Sequence, residues 1–215
     1  LLNNALLQII GEGEFKIISN SYALYLNESQ FNSQDTVNVL LKSSNHQGIY
    51  TDSSTVSILK GEVEGGIYAT INNTITLGGA VIADMGEGGS FRSGVTLNGK
   101  GNTVRVAAIE VRSGDMDKTS YGIYMVEGGT VTVGSEKVPG NVIGVNSGIF
   151  ASQGSERAHI TVYGDVEGGA HGILVYDDAE VKVYGNVKST SSNKAMWGVE
   201  SRAGDTDSQS NQIEI

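Results

Sequence analysis

Carboxylates are the residues of this chain whose spacing could support catalysis. Asp177 and Asp178 follow an apolar segment, and aligning the repeats places Glu127 two repeats earlier in the column of Asp177. Cleavage of a glycosidic bond needs two carboxyl groups about 5–10 Å apart. Adjacent strand residues point to opposite faces, so Asp177 and Asp178 do not converge within one strand. Glu127 with Asp177 is therefore the pair that a carbohydrate-active enzyme would use, but a polar bend after Tyr176 is the simpler interpretation.

Two tyrosines share one repeat position, directly before a bend glycine. They are Tyr163 and Tyr184, and each follows a valine, Val162 or Val183, that we expect to face inward. Both rings should then face outward on adjacent repeats. Exposed aromatic rings suit contact with sugars or protein partners. The alternative is that aromatic pairing across strands only stabilises the sheet.

No other set of residues has a spacing typical of catalysis or metal binding. His46, His159 and His171 do not align in one column, and no His, Asp and Glu cluster has metal-ligand spacing. The serines lack the Gly-x-Ser-x-Gly context that would single out a nucleophile. We therefore expect no metal, no cofactor and no enzymatic activity.

The elements that would position these side chains form a repeat marked by Gly-Ile-Tyr and its variants. They recur at intervals of 18 to 28 residues, which average 25, and begin at Gly48, Gly66, Gly94, Gly122, Gly148, Gly172 and Gly198. A period in this range without helical segments indicates one supersecondary unit stacked on copies of itself. In each unit the glycine makes a corner, the next residue enters the core and the third faces outward.

Each repeat contains further short strands that alternate apolar and polar residues. Val131-Thr132-Val133 and Val181-Lys182-Val183 are examples of the second strand. Gly164-Asp165-Val166 is an example of the third strand. The pattern predicts an all-β, right-handed parallel β-helix of about eight coils of roughly 25 residues. Strands of three to five residues are too short for a transmembrane barrel, and a left-handed β-helix would show a hexapeptide period. Variable turns, such as Ser135 to Gly140, should carry the insertions.

Composition agrees with many short strands joined by tight bends. The 215 residues include 30 glycines, one proline and no cysteine, and the formal net charge is −10. Without a basic cluster a nucleic-acid partner is not expected, and without a long apolar run neither is a membrane-spanning helix. We interpret residues 1–215 as a single domain, with residues 1–20 as an irregular first coil or cap. A start without Met and an end within a strand pattern suggest a fragment of a longer secreted or surface protein.

Two segments carry a resemblance to a known family. Ile58 to Ala69, ILKGEVEGGIYA, and Val162 to Ile173, VYGDVEGGAHGI, are similar to repeats in the passenger domains of bacterial autotransporters. The resemblance covers the chain from about residue 20 to its end. It implies a right-handed parallel β-helix displayed on the bacterial surface or secreted, after export through the outer membrane.

Three functions remain open at this point. The resemblance implies an adhesin, or the stalk that carries one, with a host or bacterial surface protein or glycan as partner. The alternatives are a carbohydrate-active lyase or hydrolase and a purely structural spacer. Uncapped strands at the two ends of the rod also predict end-to-end or homotypic self-association.

Overall fold

The computed structural model describes residues 1–84, 93–112, 120–152, 154, 156–176, 178–191, 197–202 and 211–215. It is an all-β solenoid of parallel strands with about seven turns, so the predicted all-β parallel architecture is confirmed, with a turn count slightly below the expected eight. Within the described ranges, no helix has the length and apolar character needed to cross a membrane.

Three walls run along the solenoid, and in each wall a strand pairs in parallel with the equivalent strand of the next coil. The first wall contains β1 (Leu2–Asn3), β4 (Leu24–Asn27), β7 (Ile49–Asp52), β10 (Ile67–Ala69), β12 (Val95–Leu97), β14 (Tyr121–Met125), β17 (Ser147–Ala151), β20 (His171–Tyr176) and β23 (Val199–Arg202). The second wall contains β2 (Leu6–Ile9), β5 (Gln30–Ser33), β8 (Thr55–Ile58), the first parts of β11 (Thr74–Ala83) and β13 (Thr103–Val111), β15 (Gly129–Val133), β18 (Ala158–Val162), β21 (Ala179–Val183) and β24 (Gln212–Glu214). The third wall contains β3 (Gly13–Ser19), β6 (Val37–Ser43), β9 (Gly61–Glu64), the last parts of β11 and β13, β16 (Val142–Gly144), β19 (Val166–Gly168) and β22 (Val187–Ser189).

The core consists of columns of apolar side chains, one from each coil. On the first wall the column contains the residue after each repeat glycine, and its members Ile49, Ile67, Val95, Ile123, Ile149 and Ile173 are fully buried. Period-2 alternation explains this placement, because each strand turns one face inward. The first coil follows the same rule, since β1, β2 and β3 pair in register with β4, β5 and β6.

The repeat glycines form a column of their own, and close packing between coils requires it. A Cβ on Gly122 would lie 2.5 Å from the carbonyl oxygen of Gly148 and 2.5 Å from Cγ1 of Val142. The same Cβ on Gly148 would lie 2.8 Å from the carbonyl oxygen of Gly172. The recurring glycine therefore brings the first wall against the third wall at a distance that no side chain permits.

A buried polar ladder fixes the corner between the first and second walls. Ser29, Ser54, Asn73 and Asn102 are buried, and the side-chain oxygen of each accepts a hydrogen bond from a backbone N–H one coil earlier, at 2.9–3.1 Å. These four bonds satisfy donors that the corner would otherwise leave unpaired. The second wall consequently starts at a constant position in these coils.

Candidate functional site

The predicted aromatic pair, Tyr163 and Tyr184, forms a stack at the corner between the second and third walls. The two ring centroids are 4.9 Å apart and the ring planes differ by 6°. The backbone N–H of Tyr184 donates to the carbonyl of Val162 at 2.9 Å, which fixes one coil on the other. Val162 and Val183 are buried, so both tyrosines lie on the outer surface.

This stack presents a surface that another molecule can reach. Tyr184 is 63% exposed, and it lies next to Lys182, whose ammonium group is 3.0 Å from a Glu180 carboxylate oxygen. A flat exposed ring offers dispersion contacts to the apolar face of a sugar, and its hydroxyl group offers a hydrogen bond. The geometry agrees with a binding role for Tyr163 and Tyr184, and that role stays a prediction.

A larger aromatic column lies on the first wall, and the sequence analysis did not recognise it. Its members occupy the third position of the repeat, and strand register aligns Tyr25, Tyr50 and Tyr68 in one half and Tyr124 with Phe150 in the other. The signal was present in the sequence, because Tyr recurs after Gly-Ile at three of these positions. The sequence analysis assigns that position only an outward direction.

The first-wall rings pack against one another rather than lying open. Tyr50 stacks on Tyr25 at 4.7 Å and on Tyr68 at 5.3 Å, both with nearly parallel planes. Tyr22 packs against Tyr50 at 5.3 Å and against His46 at 5.0 Å. Because Tyr50 has a neighbour on both ring faces, it cannot stack on a ligand. This part of the column stabilises the wall.

Burial in the first-wall column changes the acidity of its phenol groups. Loss of solvent raises the pKa of Tyr50, Tyr121 and Tyr124 above the usual tyrosine range. Nearby tyrosines add to this effect, as Tyr25 does at Tyr50 and Tyr68 at Tyr124. The neutral form of each ring is therefore the one that fits the folded wall.

Of the carboxylate pair proposed for an enzyme, the structure describes only Glu127, so the pairing stays a prediction. Glu127 lies in the corner before β15, where its backbone carbonyl accepts a hydrogen bond from the N–H of Glu156 at 3.2 Å. Asp177 lies outside the described residues. Its neighbour Asp178 has a φ of 55° at the same corner, and its carbonyl accepts the N–H of Ala158 at 3.0 Å. Asp178 therefore acts in this corner through its backbone, as expected of a residue in a bend.

Two of the three histidines, His159 and His171, pair with carboxylates on neighbouring strands. His171 Nε2 lies 2.8 Å from Glu200 Oε2, and His159 Nδ1 lies 3.2 Å from Glu180 Oε2. A hydrogen bond from Arg202 lowers the pKa of Glu200, which keeps this carboxylate charged beside His171. A serine relay is not formed at His171, because the in-register hydroxyl group of Ser147 donates to Asn146 Oδ1 at 3.0 Å instead.

The described residues also bear on metal binding. They contain no group of three or more His, Asp or Glu side chains that could hold a metal ion. The polar clusters described above are ion pairs within one strand or between neighbouring strands of the solenoid.

Comparisons with family models, with curated proteins and with solved structures find no match to this chain. The function of the chain therefore has to be argued from its own surfaces.

Proposed function

We propose that the chain is the passenger β-solenoid of a bacterial autotransporter and acts in attachment, as an adhesin or as the stalk that presents one. In this proposal it is displayed at the cell surface or secreted through the outer membrane. It binds a host or bacterial surface protein or glycan without transforming it. The observation that carries the proposal is the outward-facing Tyr163–Tyr184 stack, in which the Tyr184 ring is exposed, on a rod whose walls repeat the same outward positions coil after coil.

The shape of the rod supports attachment by a physical argument. Each wall presents outward residues at a spacing of about 4.8 Å from coil to coil. A regular surface of this kind can meet an extended partner through many individually small contacts, and such contacts add up when they are held in one rigid frame. The repeat sequence, with its similarity to autotransporter passengers, favours a surface location.

A binding and turnover assay with matched variants tests the proposal. The fluorescently labelled chain should bind bacterial or epithelial cells saturably, and the double variant Tyr163→Ser, Tyr184→Ser should bind at least several-fold more weakly. A second double variant, Thr74→Ser with Thr130→Ser, is the control, because it alters outward positions of the second wall away from the stack. Saturable binding that is equally strong in the wild type and in the tyrosine double variant would show that the stack is not the contact.

The same preparation separates the other two functions. A carbohydrate-active enzyme would release reducing ends from a panel of polysaccharides, and Asp177→Ala would abolish that release. A structural spacer would neither bind cells nor depolymerise glycans. Either of these outcomes would refute the attachment proposal for this segment.

A further inference from the structure

One corner of the solenoid contains a groove that the aromatic pair only partly explains. The residue that follows each second-wall strand lies at this corner, one residue from each coil. In spatial order the column reads Leu59, Gly78, Ala107, Gly134, Tyr163 and Tyr184. The three small residues in the middle leave a depression of about 290 Å³ between larger neighbours.

Backbone packing between coils explains why the floor of the groove carries almost no side chains. A Cβ on Gly78 would lie 2.0 Å from the carbonyl oxygen of Leu59, so no other residue fits there. Gly134 has a φ of +70°, and a Cβ on it would lie 2.3 Å from the backbone nitrogen of Gly140. Between Gly78 and Gly134, Ala107 supplies a single methyl group to the floor. The depression is therefore a fixed feature of the coils.

A short turn forms one side of the groove. After Gly134 the chain turns back, and Ser135 and Val138 exchange backbone hydrogen bonds of 2.8 and 3.1 Å. The Ser135 hydroxyl oxygen also accepts the N–H of Val138 at 3.1 Å. This turn holds the Val138 side chain at the groove, where it is 65% exposed. An exposed valine fixed by three hydrogen bonds is an apolar contact surface held in place.

The opposite side of the groove is polar and cationic. Arg105 lines it together with Thr76, and register places Arg105 between Thr76 and Thr132 on the outer face of the second wall. Within the described part of the chain Arg105 has no ion-pair partner, whereas Lys42, Arg112, Lys182, Lys188 and Arg202 are each paired with a glutamate. In a chain of net charge −10, an unpaired arginine beside a groove favours an anionic ligand.

Two further cations are sequence neighbours of residues at this corner. Lys60 follows Leu59 at one end of the column, and Lys137 precedes Val138 in the turn, where Glu136 is the accompanying acid. Both lysines are exposed. A guanidinium group binds a carboxylate through two parallel hydrogen bonds, so Arg105 is the residue best suited to recognise that group.

We infer that this corner binds a linear polysaccharide that contains uronic acid residues. The inference rests on the proposed attachment function and names the ligand class of that function. A sugar ring would place an apolar face on Val138 and a hydroxyl edge towards Thr76 and Ser135, while its carboxylate would meet Arg105. The column from Leu59 to Tyr163 spans four strand spacings, about 19 Å, which suits several units of an extended chain that continues onto the tyrosine stack.

A titration with galacturonate oligomers of defined length tests the inference. We expect the chain to bind them and to bind galactan oligomers of equal length at least tenfold more weakly, because these lack the carboxylate. Arg105→Gln should lose about tenfold in affinity. Lys100→Gln, which removes an exposed cation at the corner between the first and second walls, should bind as the wild type does.

Filling the groove with a larger side chain provides an independent test of the inference. Ala107→Phe should abolish binding, and an unchanged circular dichroism spectrum and melting temperature would show that the variant folds. If Ala107→Phe fails to fold, Val138→Asp replaces it, because a carboxylate on the exposed turn should repel the ligand without altering the core.

Four results would overturn the inference. They are an absence of galacturonate binding, equal loss in Arg105→Gln and Lys100→Gln, unchanged binding in the folded groove-filling variant, and equally tight binding of poly-glutamate. The last result would identify an acidic peptide as the partner. If cells still bind saturably while galacturonate does not, the attachment function stands and only the ligand class is wrong.

Discussion

The first wall and the corner between the second and third walls use aromatic residues in opposite ways. On the first wall, Tyr50 has a ring against each of its faces. At the corner, the column changes from three small residues to the Tyr163–Tyr184 stack, whose Tyr184 ring is exposed. A ring enclosed on both faces contributes to stability, whereas an exposed stack beside a groove can contact a ligand. In our proposal, position within the solenoid, rather than residue type, separates tyrosines that stabilise a wall from tyrosines that contact a ligand.

The largest expected difference in stability between the two regions concerns substitutions of small residues. Gly122→Val on the first wall should destabilise the fold by about 4 kcal/mol or prevent folding, because its side chain would meet the Gly148 carbonyl and Val142. Ala107→Val at the corner faces outward and should cost less than about 1 kcal/mol. Chemical denaturation of both variants measures the two costs. Similar costs would remove the distinction between a packed wall and an open corner.

A smaller difference in stability is expected for substitutions of aromatic residues. Tyr50→Ala should lower the free energy of unfolding by about 2–3 kcal/mol, since it removes two stacked contacts and part-buried apolar area. Tyr184→Ala should lower it by less than about 1 kcal/mol, because the ring is largely exposed. Thermal and urea unfolding would give both values. A Tyr184 variant as unstable as the Tyr50 variant would assign the corner stack a structural role.

The smallest expected effect is a dependence of stability on alkaline pH. Burial raises the pKa of Tyr50, Tyr121 and Tyr124 in the folded chain. The unfolded chain therefore ionises first, and the stability that these groups contribute is complete below about pH 10 and is lost as the pH rises through their folded pKa. Urea midpoints between pH 8 and 11 should fall, and Tyr50→Phe should make that fall shallower. An unchanged slope in Tyr50→Phe would show that this ring does not titrate as its burial requires.

The repeat made the solenoid predictable, but two of its features could not be obtained from spacing alone. The Asn73–Asn102 hydrogen bond joins residues 29 positions apart, and repeats of unequal length conceal that alignment. The groove depends on a register shift between Leu77 and Ala80 that places two glycines opposite one residue. The tyrosine stack was accessible from sequence because Tyr163 and Tyr184 each precede a bend glycine in neighbouring repeats of similar length.

We expect recognition to take place at the groove corner and not along the first wall. Chemical-shift mapping of methyl-labelled alanine, valine and isoleucine residues during a galacturonate titration tests it most directly. We expect shifts at Ala107 and Val138, with Ala69 and Ile123 of the first wall unchanged. Shifts confined to first-wall methyl groups, with Ala107 and Val138 unchanged, would contradict it.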